Sequence, residues 1–236
     1  YKRQLLKLLS IQKIKEIKDK FNKDILLVVD NTMIGPFNLS PLKLGADIVL
    51  YSITKFIGGH SDLVAGGVSS NKNLLKSVKV TRTIFGTIPD PDTCWLIQRS
   101  LATLKLRMDQ QTSNAKQIVK LLQDHPIVDN VYYPGIDTDT VDIFEKEYQD
   151  SGSMISFEIM GNLQDAYNIL NKFKIFKLAV SLGSVESLVQ HPSSMTHSDM
   201  TEEQKKRTGI NDSLIRMSIG LEDVEDLKDD LKAALS

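Results

Sequence analysis

An α/β fold is the expectation for this chain. Three short apolar runs near its start are separated by turn signals, a long helical stretch follows, and further strand and helix patterns close the sequence. Short continuous apolar runs are typical of strands buried on both faces, as in a parallel sheet. Strands that alternate with helical segments are the pattern of an α/β sheet.

Residues 5–21 read as an amphipathic helix, with Leu5, Leu9, Ile14 and Ile17 near one face and lysines opposite. Ile25-Leu26-Leu27-Val28-Val29 is the first apolar run, and it ends at Asp30. Asn31-Thr32 and Gly35-Pro36 break it. Asp47-Ile48-Val49-Leu50-Tyr51, ending at Ser52, is the second run, and Leu63-Val64-Ala65-Gly66-Gly67-Val68 is the third. From Asn71 to about Asp124 the pattern turns helical. Pro89-Asp90-Pro91 interrupts it and starts the helix that carries Trp95, which Leu101, Leu104, Leu106 and Met108 continue toward the next. Pro126 and Pro134-Gly135 mark a change of element, so a domain boundary is expected near residue 125, dividing 1–125 from 126–236. Strands over 154–159 and 214–219, with helices over 163–173 and 223–235, make a smaller second α/β unit. Segment 190–211 is polar, long and barely periodic, and reads as a functional or disordered loop.

The chain has 236 residues, 41% of them hydrophobic, enough to bury a sizeable core in one large domain or two small ones. A formal net charge of -1 offers no basic excess for nucleic acid and no acidic bias toward a basic partner. Basic residues gather only between Lys2 and Lys23, at helical spacing, and read as a solvated helix face. The one cysteine, Cys94, excludes an internal disulfide framework and fits a reducing compartment. Its apolar neighbours suggest a small buried hydrophobe rather than a nucleophile. With no leader pattern and no apolar run of membrane-spanning length, the expectation is a soluble cytoplasmic protein that does not engage membrane.

Asp30 and Lys55 each lie just past the carboxyl end of an apolar strand, the edge at which open α/β sheets bind ligands. One reading is a structural ion pair. The other is a pyridoxal-phosphate site, which needs a lysine amine for covalent attachment and a carboxylate to keep the pyridine nitrogen protonated. Ser52 and Thr54 place hydroxyls three and one residues before the lysine, where they can donate to a phosphate. Gly58-Gly59-His60-Ser61 follows as a turn that lets backbone approach a ligand. His60 is either a ligand or base, or a polar core residue with satisfied ring nitrogens.

Val28-Val29-Asp30-Asn31-Thr32, Leu44-Gly45-Ala46-Asp47-Ile48-Val49 and Ser52-Ile53-Thr54-Lys55-Phe56-Ile57-Gly58-Gly59-His60-Ser61-Asp62 resemble, in order and spacing, the core of the cystathionine γ-synthase, cystathionine γ-lyase and methionine γ-lyase family. The resemblance puts Lys55 at the cofactor-lysine position and Asp30 at the pyridine position. It implies that Ser52 and Thr54 bind the phosphate. Farther on, Ala179-Val180-Ser181-Leu182-Gly183-Ser184-Val185-Glu186-Ser187-Leu188 resembles the family's substrate segment. Gln190-His191-Pro192-Ser193-Ser194-Met195-Thr196-His197-Ser198 follows it, and then Leu214-Ile215-Arg216-Met217-Ser218-Ile219-Gly220-Leu221-Glu222-Asp223. Arg216 interrupts an apolar strand and should share a face with Leu214 and Ser218. A buried guanidinium needs an anion, either a carboxylate such as Glu222 or a substrate α-carboxylate, which arginine can grip with two parallel bonds. The resemblance favours the second, with Ser181 assisting. Glu186 is either a sensor for a distal amino group of cystathionine or a surface carboxylate. His191 and His197 read as loop-packing residues.

What the resemblance implies is a type I pyridoxal-phosphate fold: a large domain without its amino-terminal part, then a small α/β domain. It implies a carbon–sulfur lyase of sulfur amino-acid metabolism, acting by γ- or β-elimination. Cystathionine γ-synthase or O-acylhomoserine sulfhydrylase chemistry is the alternative, and a non-catalytic remnant is another. The complete protein should be a homotetramer, a dimer of dimers, with no nucleic-acid partner. The family's amino-terminal portion, with its phosphate loop, stacking tyrosine and intersubunit arm, has no counterpart in the sequence, which suggests a truncated chain.

Overall fold

The computed structural model describes residues 4–236, so Lys2 lies outside the described residues. The first sheet has three strands in the order β1 (Val28–Asp30), β2 (Ile48–Ser52), β3 (Gly66–Ser70). β1 and β2 run parallel, and β3 turns back antiparallel to β2. Helices α1 (Ile11–Phe21), α2 (Lys72–Phe85), α3 (Pro91–Leu101) and α4 (Leu104–Gln123) surround this half in sequence. The second sheet has five strands, ordered β4 (Val128–Tyr132), β5 (Met154–Ile159), β8 (Leu214–Ser218), β7 (Leu188–Gln190), β6 (Lys177–Leu178). Only the β6–β7 pairing is parallel. The remaining helices are α5 (Val141–Glu147), α6 (Leu163–Lys172), α7 (Pro192–Met195), α8 (Glu202–Thr208) and α9 (Val224–Leu235). None of the described helices is long and apolar enough to cross a membrane.

The larger core lies under the five-stranded sheet. Ile155, Phe157, Ile215 and Met217 face Ile118 and Leu122 of α4, Ile169 of α6 and Leu227 and Leu231 of α9. The strand period of two therefore sends Leu214, Arg216 and Ser218 to the opposite face. There Leu214 packs with Leu5 and Ile210. The expected boundary near residue 125 falls between α4 and β4, although the second half of α4 packs on the second sheet.

Several expectations are corrected. The first helix begins at Ile11 rather than residue 5, because Ser10 caps it, its hydroxyl accepting from Lys13 N at 3.1 Å. The buried carboxylate of Glu147 accepts the Ile11 N–H at 2.7 Å, satisfying another amide of the first turn. The lysine-bearing face is solvated, but so are Ile14 and Ile17. The first apolar run is a strand only over β1, and Ile25, Leu26 and Val28 are exposed, since nothing described covers that face. Cys94 is exposed, not buried, on a helix whose Trp95 is 62% exposed. A break at residues 102–103 separates α3 from α4. Segment 190–211 is not a loop throughout, since it ends β7 and holds α7 and α8. Thr201 and Gln204 close a reciprocal capping box at the start of α8, a local signal that helical periodicity over seven residues is too short to reveal.

Candidate active site

Parallel pairing brings the carboxyl ends of β1 and β2 to one edge, with Asp30 and Ser52 as the last residues of their strands. The chain then turns tightly through Lys55. Lys55 N donates to Ser52 O, Gly58 N to Ile53 O at 2.7 Å and Gly59 N to Lys55 O at 2.7 Å. Arg107 of α4 clamps this turn. Its guanidinium donates to the carbonyls of Phe56 (2.8 Å), Ile57 (3.1 Å) and Ser100 (3.0 Å), and its Nε to Thr103 Oγ1. Sequence reasoning missed Arg107. The available signal was a cation at helical spacing from Leu104 and Gln111 on a face that is buried.

The segment after β6 is laid across the same turn. Val185 N donates to Gly59 O at 2.8 Å, Gln111 Nε2 to Ser184 O at 2.7 Å and Gly183 N to Ser218 Oγ at 2.8 Å. Gly183 has φ +77°, and a Cβ there would stand 2.6 Å from Phe56 N. These contacts deliver Ser181 to the lysine: Lys55 Nζ donates to Ser181 Oγ at 2.9 Å across 126 residues of sequence. Gly183→Ala is therefore expected to push the segment off the turn. The left-handed backbone alone costs about 1–2 kcal/mol, and the clash adds to it. A lower melting temperature together with a lower kcat/KM in the full-length protein is the expected result, read by thermal denaturation and steady-state kinetics.

The Lys55 amine is held below the ordinary lysine value, first by burial and second by the positive charge of Arg216. Arg216 is 6% exposed and donates from Nη1 to Gln4 Oε1 at 3.0 Å. Gln4 in turn donates to Thr196 Oγ1 at 3.5 Å. Glu222, the carboxylate weighed as the arginine's structural partner, accepts instead from Ser187 N at 2.6 Å and Ser187 Oγ at 2.7 Å. Lys55, Ser181 and Arg216, far apart in sequence, thus converge.

Two of the other predicted residues, Asp30 and His60, are more exposed than foreseen. Asp30 stands at the strand edge as foreseen, but it is exposed rather than buried, and its Oδ1 accepts from Thr32 N at 3.0 Å. Ser52 and Thr54 are half-buried. Thr54 Oγ1 accepts from Ala65 N at 3.0 Å, and its donation to Ala65 O is long at 3.4 Å. His60 is exposed rather than in the core, with Nδ1 2.7 Å from Gly58 O. Glu186 is exposed, and its backbone N–H donates to Ser184 Oγ. His191 is fully buried with both nitrogens occupied, Nδ1 by Ser194 Oγ and Nε2 by Asp212 O. His197 Nδ1 lies 2.8 Å from Thr196 Oγ1.

A sequence model of the Cys/Met metabolism PLP-dependent enzymes matches residues 3–236. The chain belongs to that family. Among Cys/Met metabolism PLP-dependent enzymes, it is 42% identical over 233 residues to an L-methionine gamma-lyase of Fusobacterium nucleatum subsp. polymorphum, covering 98% of this chain and 59% of that relative. It is likewise 42% identical to a cystathionine gamma-lyase of Sus scrofa, over 98% of this chain and 57% of the relative. The crystal structure of a cystathionine gamma synthase from Xanthomonas oryzae pv. oryzae, in complex with cystathionine, superposes with a TM-score of 0.93 at 39% identity, covering 98% of this chain and 60% of that one. The chain thus spans about 60% of the length of these relatives.

Proposed function

We propose that the protein is a pyridoxal-phosphate-dependent carbon–sulfur lyase that cleaves a sulfur amino acid by γ- or β-elimination, in the manner of methionine γ-lyases and cystathionine γ-lyases. The observation that carries the reading is the Lys55 amine, lowered in pKa, bonded to Ser181 and set in the field of Arg216. A lowered pKa increases the share of neutral amine, the form that attacks a carbonyl carbon.

The donor set fits the cofactor. Lys55 offers the amine, Asp30 a carboxylate at the neighbouring strand end, and Ser52 and Thr54 hydroxyls beside the turn. The long Thr54 donation to Ala65 is weak enough for the hydroxyl to turn toward a phosphate. Pyridoxal phosphate, when bound, supplies an electron sink for the substrate's α-carbon. Lys55 Nζ then accepts and returns the α-proton, a role that suits its lowered pKa. Ser181 Oγ holds that amine in place between the two events. Arg216 fixes the substrate carboxylate and so the direction of the α-carbon–hydrogen bond. Glu186, exposed beside this segment, is the proposed contact for a distal substrate amine.

Asp30→Asn is expected to keep part of the cofactor affinity and to lose most turnover, since an amide cannot hold the pyridine nitrogen protonated. Cofactor occupancy and kcat measured on one preparation check this.

Residues 1–125 are read as the later part of the cofactor-binding domain and 126–236 as the small domain. A cytoplasmic homotetramer is the proposed assembly. Apolar side chains such as Val64 (87% exposed) and Phe85 (75% exposed) support a covered surface in the complete protein. γ-Replacement is the second reading, favoured by the likeness to the cystathionine gamma synthase structure. The full-length gene product, incubated with methionine, cystathionine and O-acylhomoserines, decides between them. Release of 2-oxobutanoate and thiol from methionine supports the lyase. Cystathionine made from an O-acylhomoserine and cysteine supports the synthase, and no turnover of any substrate contradicts both.

A further inference from the structure

Arg216 stands in the middle of a polar row that crosses the five-stranded sheet. Its partners in register are Ser156 on β5 and Gln190 on β7. Directly opposed residues of antiparallel strands share a face, with Cβ atoms about 5 Å apart. Val189 and Met217 point into the helix-covered core, so the polar row points the other way. Gln190 is 1% exposed, and among the described residues neither its Oε1 nor its Nε2 has a hydrogen-bond partner. Ser156 is fully buried, and its Oγ is equally unpartnered. Buried polar atoms in folded proteins are almost always paired. Three unmet atoms on both sides of one guanidinium therefore mark an arrangement completed by something further.

We propose that Gln190 is a positioning residue for Arg216, its amide oxygen accepting a guanidinium N–H when a substrate carboxylate occupies the arginine fork. This rests on the reading of Arg216 as the carboxylate-binding residue. Guanidinium offers five donors and no acceptor, so a neighbouring amide meets it with oxygen. A carboxylate takes two parallel N–H groups, and an acceptor on a remaining N–H fixes the plane in which those two point. In this structure Nη1 is turned to Gln4 Oε1. Gln190, anchored on the adjacent strand, is placed to hold the fork when that contact gives way to a ligand.

The role needs an acceptor, which glutamate also supplies and methionine does not. The test uses the full-length holoenzyme as wild type, Gln190→Met, Gln190→Glu and Arg216→Ala. Calorimetry gives the Kd of norleucine, an amino acid with no sulfur to eliminate, and of 1-aminopentane, the same molecule without its carboxylate. The wild type should prefer norleucine, and Arg216→Ala should lose most of that preference. Gln190→Met should lose about 10- to 100-fold of it, the value of one charged hydrogen bond. Gln190→Glu should hold it within about threefold, since an acceptor remains. If Gln190→Met keeps the preference while Arg216→Ala loses it, the inference fails and the carboxylate reading stands. If Arg216→Ala also keeps it, both fail. A Gln190→Glu variant weaker than Gln190→Met would show the amide N–H₂ touching the carboxylate directly and would overturn the positioning role. Should Gln190→Met not fold, judged by thermal melting, Gln190→Glu decides alone, because loss of the preference in that variant overturns the proposal.

Discussion

Lys55→Ala in the full-length protein is expected to abolish carbon–sulfur cleavage. Two functions disappear together. On the proposed reading, the amine that attaches the cofactor is gone, and so is the base that takes the substrate's α-proton. Proton transfer by a placed side chain alone is worth about 10²- to 10⁴-fold in rate, so turnover should fall at least that far. The fold should survive, because Lys55 is half-buried, its side chain bonds only Ser181 among the described residues, and the turn around it is held by Arg107 and by backbone bonds. Unchanged melting of the cofactor-free protein with lost 2-oxobutanoate release is the expected pair of results. Lys55→Arg should not rescue, since guanidinium stays protonated at any pH the protein tolerates.

Arg216→Ala is expected to have the next largest effect, and it acts on two observables. Removing one partner of a buried charged hydrogen-bonded pair costs about 2–5 kcal/mol. Substrate kcat/KM should therefore fall by about 30- to 5,000-fold. The second effect concerns Lys55. The arginine's positive charge opposes protonation of the lysine and is the second cause of its lowered pKa, after burial. Taking that charge away favours the protonated amine, so the lysine's pKa rises toward its ordinary value. At a given pH less of the amine is then neutral. The pH dependence of cofactor attachment at Lys55 should move to higher pH in Arg216→Ala. A profile that stays in place would mean that burial alone sets the lysine.

How much of this was legible in the sequence depended on whether the determinant was local. Ser52, Thr54 and Lys55 sit in one short stretch behind a clear apolar run, and β2 forms where that run predicts it. Arg216 was legible because a cation inside an apolar strand has to be accounted for, and strand alternation gave its face correctly. Burial of the first half was not legible. Continuous apolar runs say which residues favour burial, not which neighbours cover them, and so Asp30, Cys94 and His60 proved exposed. The convergence of Lys55 with Ser181 depends on Gly183 approaching Phe56 N and on Val185 bonding Gly59. Those contacts join positions more than a hundred residues apart, and no periodicity records them. The clamp by Arg107 is of the same kind, a helix side chain whose partners are carbonyls of a distant turn.

Lys55 is proposed here as the lysine that holds the cofactor. The direct measurement is to load the full-length protein with pyridoxal phosphate, reduce it with borohydride, digest it and map the modified peptide. The expected result is a phosphopyridoxyl group on Lys55, in the peptide that contains Ser52 and Thr54. Label on Lys72 or Lys76 with Lys55 unmodified would contradict it.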